Sequence, residues 1–264
     1  FSAQMLNWGE ETLKPSLNNT HAGRLIYAGG DNFLGVFYRR SENPCLQPID
    51  CLNWFYRFKS DDPDAIWTQH QQPITVSVGF VWAAPNVPQR DALQHCREAE
   101  KSAKTNGRDR LALRILFNNG NHLEWVCPWR CLPLLQQYRD HKGGQNWTHL
   151  FNDIAKLQSR HAFANDQADV AIALFKLYFG EDNNTLDPEN WWNCIKTLEN
   201  GKAHPVSGIL GECDHYPTNE AKHKALNDWV INLAKVGFYL HQQHTDLAIP
   251  HPQAASVKHE HVQP

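Results

Sequence analysis

Hydrophobic and polar positions in the first half of the chain alternate between the helical period and the strand period. The first helical face is made by Phe1, Met5, Trp8 and Thr12. Pro15 is expected to end this helix, because proline lacks the amide hydrogen that a helix interior requires. Since the helical pattern is already present at the first residue, we expect the chain to be part of a longer protein, in which a targeting signal would lie outside the sequence.

Strands and helices then follow each other closely. The stretch RLIYAGGDNFLGVFY (24–38) predicts two apolar strands joined by a tight turn, and residues 49–58 predict a helix. ITVSVGFVWA (74–83) predicts a strand that is buried on at least one side. The next helix, residues 88–107, ends at Asn-Gly and should turn these residues inward: Leu93, Cys96, Ala99 and Ala103. RLALRILFNNGNHLEWVCPW (110–129) predicts a hairpin, so residues 1 to 127 read α-β-β-α-β-α-β-β.

From Trp129 onward the pattern becomes mainly helical. Three amphipathic helices are predicted around residues 147–157, 168–178 and 226–240. A Pro-, Gly- and Asn-rich region at 180–217 separates the last two, and the final residues show no period. We therefore expect an α/β domain followed by a helical one, with the boundary between residues 128 and 145.

Composition narrows the class of protein. The chain has 264 residues, of which 41% are hydrophobic and 20% charged, as in a globular protein with a real core. A net charge of -3 gives no basic surplus for wrapping nucleic acid. No apolar run approaches the roughly 18 residues of a membrane span. The seven cysteines are odd in number and scattered, which favours reduced, intracellular cysteines over a disulfide framework.

Three features of this half could carry chemistry. Gly29-Gly30-Asp31-Asn32 reads as an ordinary hairpin turn when taken alone, since these are common turn residues. The strand that follows contains a small hydroxyl residue and a glycine, Ser77 and Gly79, where bulk is expected, which indicates a close approach of backbone or ligand. The next helix ends near Lys104 and Arg108, which can neutralise phosphates. Together, the three features favour a binding site over an ordinary turn.

These motifs resemble a known domain. YAGGDNFLGVF, ITVSVGF and EAEKSAKTNGRDRLALRI resemble the palm shared by GGDEF-type nucleotidyl cyclases and the large polymerase/cyclase subunit of type III CRISPR effector complexes. In both families a Gly-Gly-acid-acid hairpin precedes a strand like TVSxG and a helix ending AKxxGR(N/D). HAGRLIYAGGD and FNNGNHLEWVCPW resemble the CRISPR subunit in particular. The specific motifs cover residues 1 to about 129, and the rest resembles the family only by position and helical character.

The resemblance implies an α+β chain. Its parts would be a ferredoxin-like palm at residues 1–129, an all-α helical domain at 130–245 and a loose tail at 246–264. In the family, target RNA bound by the guide RNA complex activates the palm, which joins ATP into cyclic oligoadenylates with Mg²⁺ or Mn²⁺. The implied partners are a Cas5-like subunit, small helical subunits and, through the complex, guide RNA and target RNA. The implied location is the cytoplasm of a prokaryote, away from membranes.

The resemblance also assigns roles to residues. Asp31 would bind the metal, and Asp31 and Asn32 would occupy the catalytic positions. The remaining residues matched to the family's nucleotide site are Gly29, Gly30, Ser77, Gly79, Lys104 and Arg108. Among them the two hairpin glycines would admit the phosphates, and Lys104 would hold the triphosphate as a point charge.

One residue departs from the family's pattern. Asn32 stands where the family has a second acid, and an amide brings no negative charge to a hard cation. A further metal carboxylate is expected on a strand before the first helix, upstream of Phe1. Three interpretations stay open: a cyclase weakened by Asn32, a non-catalytic scaffold with a degenerate site, and a GGDEF-like cyclase that acts on GTP.

Two other pairs have a spacing that can suit a metal. His241 and His244 lie three residues apart, but no further ligand is evident, so exposed polar residues are the better interpretation. Cys127 and Cys131 are one residue further apart than in a usual zinc knuckle and lack a second pair. Core packing is the better interpretation of the two cysteines.

Overall fold

A computed structural model describes residues 2–18, 23–38, 45–59, 64–67, 74–164, 166–197 and 203–242. Phe1, His244 and the whole predicted tail at 246–264 lie outside these ranges. The first half contains, in order, α1 (Ser2–Trp8), α2 (Lys14–Asn18), β1 (Gly23–Gly29), β2 (Asn32–Phe37), α3 (Pro48–Phe58), β3 (Val78–Ala83), α4 (Gln89–Thr105), β4 (Arg110–Leu116) and β5 (His122–Pro128). This is the order that the hydrophobic pattern predicts.

The first helix does not end at Pro15 as predicted. A π-helical segment, Gly9–Leu13, joins α1 to α2, and the amide of Lys14 donates to the carbonyl of Gly9 five residues earlier. The wider π turn changes the helical register just before the proline. Pro15 then occupies the first turn of α2, where its missing amide hydrogen removes no helical hydrogen bond.

The strand β3 is shorter than the predicted 74–83. Its ladder with β4 begins at the pair Val78–Leu111, and residues 74–77 are extended without a ladder partner among the described residues. Two of their carbonyls accept hydrogen bonds from tryptophan side chains instead. The indole of Trp129 donates to Val76 at 2.8 Å, and that of Trp67 donates to Ile74 at 3.3 Å.

The strands form separate sheets. β1 and β2 make an antiparallel hairpin, whereas β3, β4 and β5 form a three-stranded sheet in that order. β3 runs parallel to β4, because α4 crosses over between them, and β5 returns antiparallel to β4. Within the described ranges, β2 and β3 do not pair with each other, so the ferredoxin-like topology stays a prediction.

The helix α4 packs its small residues onto β3. Ala99 and Ala103 are fully buried as predicted, but Leu93 is 37% exposed rather than inward. A Cβ added to Gly79 would overlap the amide nitrogen of Glu100, so the helix backbone lies directly on this strand glycine. Leu93 lies well before this contact along the helix and lines an open groove instead.

The second half is mostly helical. It contains α5 (Leu134–Gln137), α6 (Thr148–Ser159), α7 (Asp169–Phe179), β6 (Cys194–Thr197), β7 (Ala203–Val206) and α8 (Asn219–His241). The three predicted amphipathic helices are confirmed as α6, α7 and α8. The expectation of an all-α part is wrong, because β6 and β7 pair as a short antiparallel hairpin inside the Pro- and Gly-rich region.

One hydrophobic cluster includes buried residues from both halves. Trp125 of β5 packs against Trp229 of α8 with ring centroids 5.3 Å apart, and the Trp229 indole donates to the Val126 carbonyl at 3.0 Å. Phe117 and Tyr239 make a second aromatic contact between the halves. The long helix α8 therefore packs against the β4–β5 side of the three-stranded sheet. No helix within the described residues is long and apolar enough to cross a membrane.

Candidate functional site

The tip of the β1–β2 hairpin is a tight turn with an exposed carboxylate. Gly29 pairs with Asn32, which leaves Gly30 and Asp31 as the two turn residues. Gly30 has a φ of +61° and open space where a side chain would be. A positive φ at the first turn position alone fits a type II′ turn, which favours glycine there. Asp31 and Asn32 are both exposed at this tip.

The two glycines of the tip have different reasons to lack a side chain. A Cβ at Gly29 would lie 2.6 Å from the hydroxyl of Tyr27, which also donates to the Gly29 carbonyl at 3.2 Å. The Tyr27 side chain is 55% exposed and could move aside, so Gly29 accommodates this contact without being strictly required by it. Gly30 is required by its backbone conformation, and its open side leaves room for a ligand to approach.

The side chain of Asn32 is hydrogen-bonded to the neighbouring acidic residue, Asp31. Its side-chain amide donates to Asp31 Oδ1 at 3.0 Å. In this arrangement the amide occupies a carboxylate oxygen that a cation would otherwise use. Rotation of the Asn32 side chain frees that oxygen and turns the amide carbonyl toward a cation, but the tip then still carries one negative charge where the family's pattern carries two.

All eight residues predicted for the site line one cavity of about 730 Å³. They come from the hairpin tip, from β3 with its extended approach, and from the end of α4, and they are Gly29, Gly30, Asp31, Asn32, Ser77, Gly79, Lys104 and Arg108. This size falls in the range of small-molecule sites, about 300–1,000 Å³. Three stretches that are distant in sequence therefore meet where the resemblance implies a nucleotide.

The cavity is a groove between two strands. β2 forms one wall and β3 with its approach forms the other, while Trp8, Leu17 and Trp54 line it from the helices. The edge of β2 away from β1 and the edge of β3 away from β4 both lack a strand partner in the described part of the chain. Backbone donors and acceptors thus face an apolar groove. Its charged lining residues lie at the hairpin tip, on α4 and, in the case of Arg108, in the loop that follows α4.

The wall of the cavity that carries Lys104 also includes an acidic residue, Glu100, which the sequence motifs did not identify. Lys104 is paired with Glu100 one helical turn earlier, at 2.6 Å, and both side chains are partly exposed. The spacing of four residues on a predicted helix was the available signal for this pair. Glu100 also lines the cavity, so it holds the ammonium group of Lys104 at the cavity wall.

Of the two pairs whose spacing can suit a metal, the cysteine pair and His241 are described by the structure, whereas His244 lies outside the described residues. Cys127 and Cys131 are buried in the core, and burial raises the pKa of both thiols, that of Cys131 to about 11. The interpretation of His241 as an exposed polar residue is wrong, because its ring is half-buried and stacks on Trp147. Burial lowers the pKa of His241 against the opposing effect of its hydrogen bond to the Gly237 carbonyl. Across the described residues, no group of three or more His, Cys, Asp or Glu side chains is arranged to hold a metal ion.

The comparisons agree with the motifs and the geometry. Residues 1–112 match the family model of Cas10/Cmr2, second palm domain, and this match ends within β4. No curated protein matches the chain. The match covers all eight predicted site residues and confirms the resemblance to the large subunit of type III CRISPR complexes. Over residues 1–112 the chain is therefore similar to the second palm domain of the Cas10/Cmr2 family.

Proposed function

We propose that the chain is part of the large subunit of a type III CRISPR effector complex and that its cavity binds ATP for the synthesis of cyclic oligoadenylates. The observation that carries this proposal is the meeting of all eight predicted residues in one cavity inside the family-matched region. The groove offers apolar walls, which suit a base, and cations at one wall, which suit a triphosphate.

The oxygen ligands at the hairpin tip suit a divalent cation that binds together with the nucleotide. Mg²⁺ in nucleotide sites is held by one or two carboxylates together with substrate phosphates and water. Asp31 supplies one carboxylate, and Asn32 supplies an amide oxygen once its side chain rotates away from Asp31. The ion would neutralise phosphate charge and stabilise the attacking and leaving oxygens. Lys104 would leave Glu100 for the triphosphate, and Gly30 would let the phosphates approach the backbone.

A strand that precedes residue 1 would complete the groove. The facing edges of β2 and β3 offer unpaired backbone groups on both sides, as a strand inserted between them would need. Such a strand would lead into α1 and would bring the further metal carboxylate that the resemblance implies. The apolar lining from Trp8 and Trp54 would pack against its inward side chains.

Amide exchange tests this strand. In the full-length subunit, the groove-facing amides of β2 and β3 should exchange at least about tenfold more slowly than in the 264-residue chain kept monomeric by dilution, because pairing buries them. Amides of β4, which is paired on both sides, serve as the internal control and should exchange alike in both proteins. Equal exchange along both groove edges in the two proteins would rule out an inserted strand.

The activity is tested in the assembled complex. Incubation with matched target RNA, ATP and Mg²⁺ or Mn²⁺ should yield cyclic oligoadenylates, and GTP should not replace ATP. Asp31→Ala should lower the yield at least about a hundredfold, because it removes the metal carboxylate. Asp182→Ala, which alters an exposed acid in the second half, is the matched control. Equal yields from these two variants would contradict a catalytic role for the hairpin tip.

One observation favours a second candidate function. The hydrogen bond from Asn32 to Asp31 stabilises the tip without a metal, as a site retained only for its shape would require. In that case the chain acts as a scaffold that contacts a Cas5-like subunit, the small helical subunits and the guide–target RNA duplex in the cytoplasm. A wild-type complex that assembles and binds target RNA but yields no oligoadenylates would support the scaffold.

A further inference from the structure

A short loop after α4 holds an unusual backbone conformation. Gly107, Arg108 and Asp109 have φ angles of +108°, +60° and +50°. Positive φ is routine for glycine but unfavourable for arginine and aspartate, since the Cβ crowds the following carbonyl. Two adjacent non-glycine residues in this region persist only where surrounding contacts enforce them. Arg108 is the residue of this loop that lines the cavity.

Several of the contacts that enforce the loop come from the second half of the chain. The side-chain amide of Asn193 donates to the Gly107 carbonyl at 2.8 Å. Its Oδ1 accepts from the Gly208 amide at 2.9 Å, so one asparagine ties the loop to the chain around Gly208. The Asp109 carboxylate pairs with Lys59 and accepts from the Ser207 hydroxyl.

Arg110 fixes the end of the same loop from inside. It is fully buried, and its guanidinium donates to the carbonyls of Arg108 and Gly208 at 3.0 and 2.9 Å. Burial lowers its pKa to about 10, so the group stays charged at neutral pH. Gly211 lies so close that a Cβ there would overlap the Asn106 carbonyl. The loop is therefore held between the palm and a segment about a hundred residues away.

We propose that Asn193 is a positioning residue for the nucleotide site: through the Gly107 carbonyl it holds Arg108 in its left-handed conformation at the cavity wall, from which the Arg108 guanidinium binds a phosphate. The inference rests on the proposed function, since it takes the ligand to be a nucleotide triphosphate. It adds that residues outside the family-matched region set the affinity for that triphosphate. Arg108 contacts the ligand, and Asn193 acts only through Arg108.

The test compares MgATP and adenosine affinities in the full-length subunit. Asn193→Asp keeps the acceptor for Gly208 but loses the donor to Gly107, and with it the bond to Glu212 Oε1. MgATP affinity should therefore fall at least about fivefold, the equivalent of one hydrogen bond. Arg108→Ala should lower it about tenfold. The double variant should be no weaker than Arg108→Ala alone, and adenosine affinity should not change. Ser207→Ala should loosen the loop less than Asn193→Asp and lower the affinity for MgATP about twofold. Asn190→Ala, in the same segment of the chain, should leave this affinity unchanged.

A role of Asn193 in stability alone would leave a different pattern. The inference would be overturned if Asn193→Asp lowered MgATP affinity equally with and without Arg108→Ala. It would also be overturned if Asn193→Asp lowered the affinity for adenosine as much as that for MgATP. Amide exchange at residues 107–110, measured without nucleotide, should rise in Asn193→Asp. If amide exchange at residues 107–110 stayed unchanged while the wild-type subunit bound MgATP normally, the inference about Asn193 would be overturned and the proposed function would stand. Absence of MgATP binding by the wild-type subunit would instead overturn the proposed function, and the inference with it.

Discussion

Asn32→Asp is expected to raise the affinity of the full-length subunit for Mg²⁺ or Mn²⁺ about tenfold to a hundredfold, because it adds a second negative charge to the hairpin tip. It also removes the amide that donates to Asp31 Oδ1. The yield of cyclic oligoadenylates in the assembled complex should rise with metal affinity. The gain should be largest at low metal concentration, where the wild-type site is least filled.

The same change should weaken the tip when no metal is present. Two adjacent carboxylates would replace the hydrogen-bonded pair of Asn32 and Asp31 at an exposed site. Their repulsion should lower the free energy of unfolding by about 0.5 kcal/mol or less. Asn119→Asp is the matched control, because Asn119 is also an exposed turn asparagine and its bond from the Asn121 amide survives the change. Calorimetry with Mn²⁺ and a product assay measure both effects. A metal affinity that rises equally in both variants would contradict a specific site at Asp31.

Gly79→Ala is expected to lower the free energy of unfolding by about 2–3 kcal/mol, the upper range for overpacking. The added Cβ would overlap the Glu100 amide and lie 2.8 Å from the carbonyl of Cys96, and both are helix backbone that cannot rotate away. The helix α4 must then move off β3. Since α4 carries Lys104, nucleotide affinity should fall as well.

Gly35→Ala is the matched control for this change. Gly35 also lies in a strand, but its added Cβ would meet Leu17 Cδ1 at 3.1 Å, a methyl group that can rotate. Its other neighbour, the Arg24 carbonyl oxygen at 3.5 Å, is at an ordinary contact distance. Urea unfolding should show a loss below about 1 kcal/mol for this variant. If Gly79→Ala instead kept full stability and lost only nucleotide affinity, the glycine would be required by the ligand rather than by the helix.

Local signals in the sequence predicted most elements correctly. The Gly-Gly-Asp-Asn and Asn-Gly turns, and the apolar periods on both sides of them, specify their hairpins within a few residues. The signal at Gly79 was correct but incomplete, since a strand glycine indicates a close approach without saying of what. A helix backbone takes that place here, and it leaves Leu93 at the open groove instead of in the core.

Contacts between distant parts of the chain could not be predicted from the sequence. Nothing near Arg108 and Asp109 predicts their positive φ, because Asn193 and Ser207 enforce it from the second half. The extent of β3 could not be predicted either, since indole donors from Trp67 and Trp129 replace its ladder before Val78. The pairing of Lys104 with Glu100 was readable from spacing, but its place at the cavity wall needed the fold.

The open edges of β2 and β3 have a consequence for handling the protein. Unpaired strand edges beside an apolar surface are templates for another chain, and natural proteins cover or charge such edges to avoid aggregation. Neither Phe33–Phe37 nor Val78–Ala83 contains a charged residue or a proline that would block such pairing. Expressed alone, this stretch of chain would therefore be expected to self-associate through the groove, and its solubility would depend on the segment that fills it.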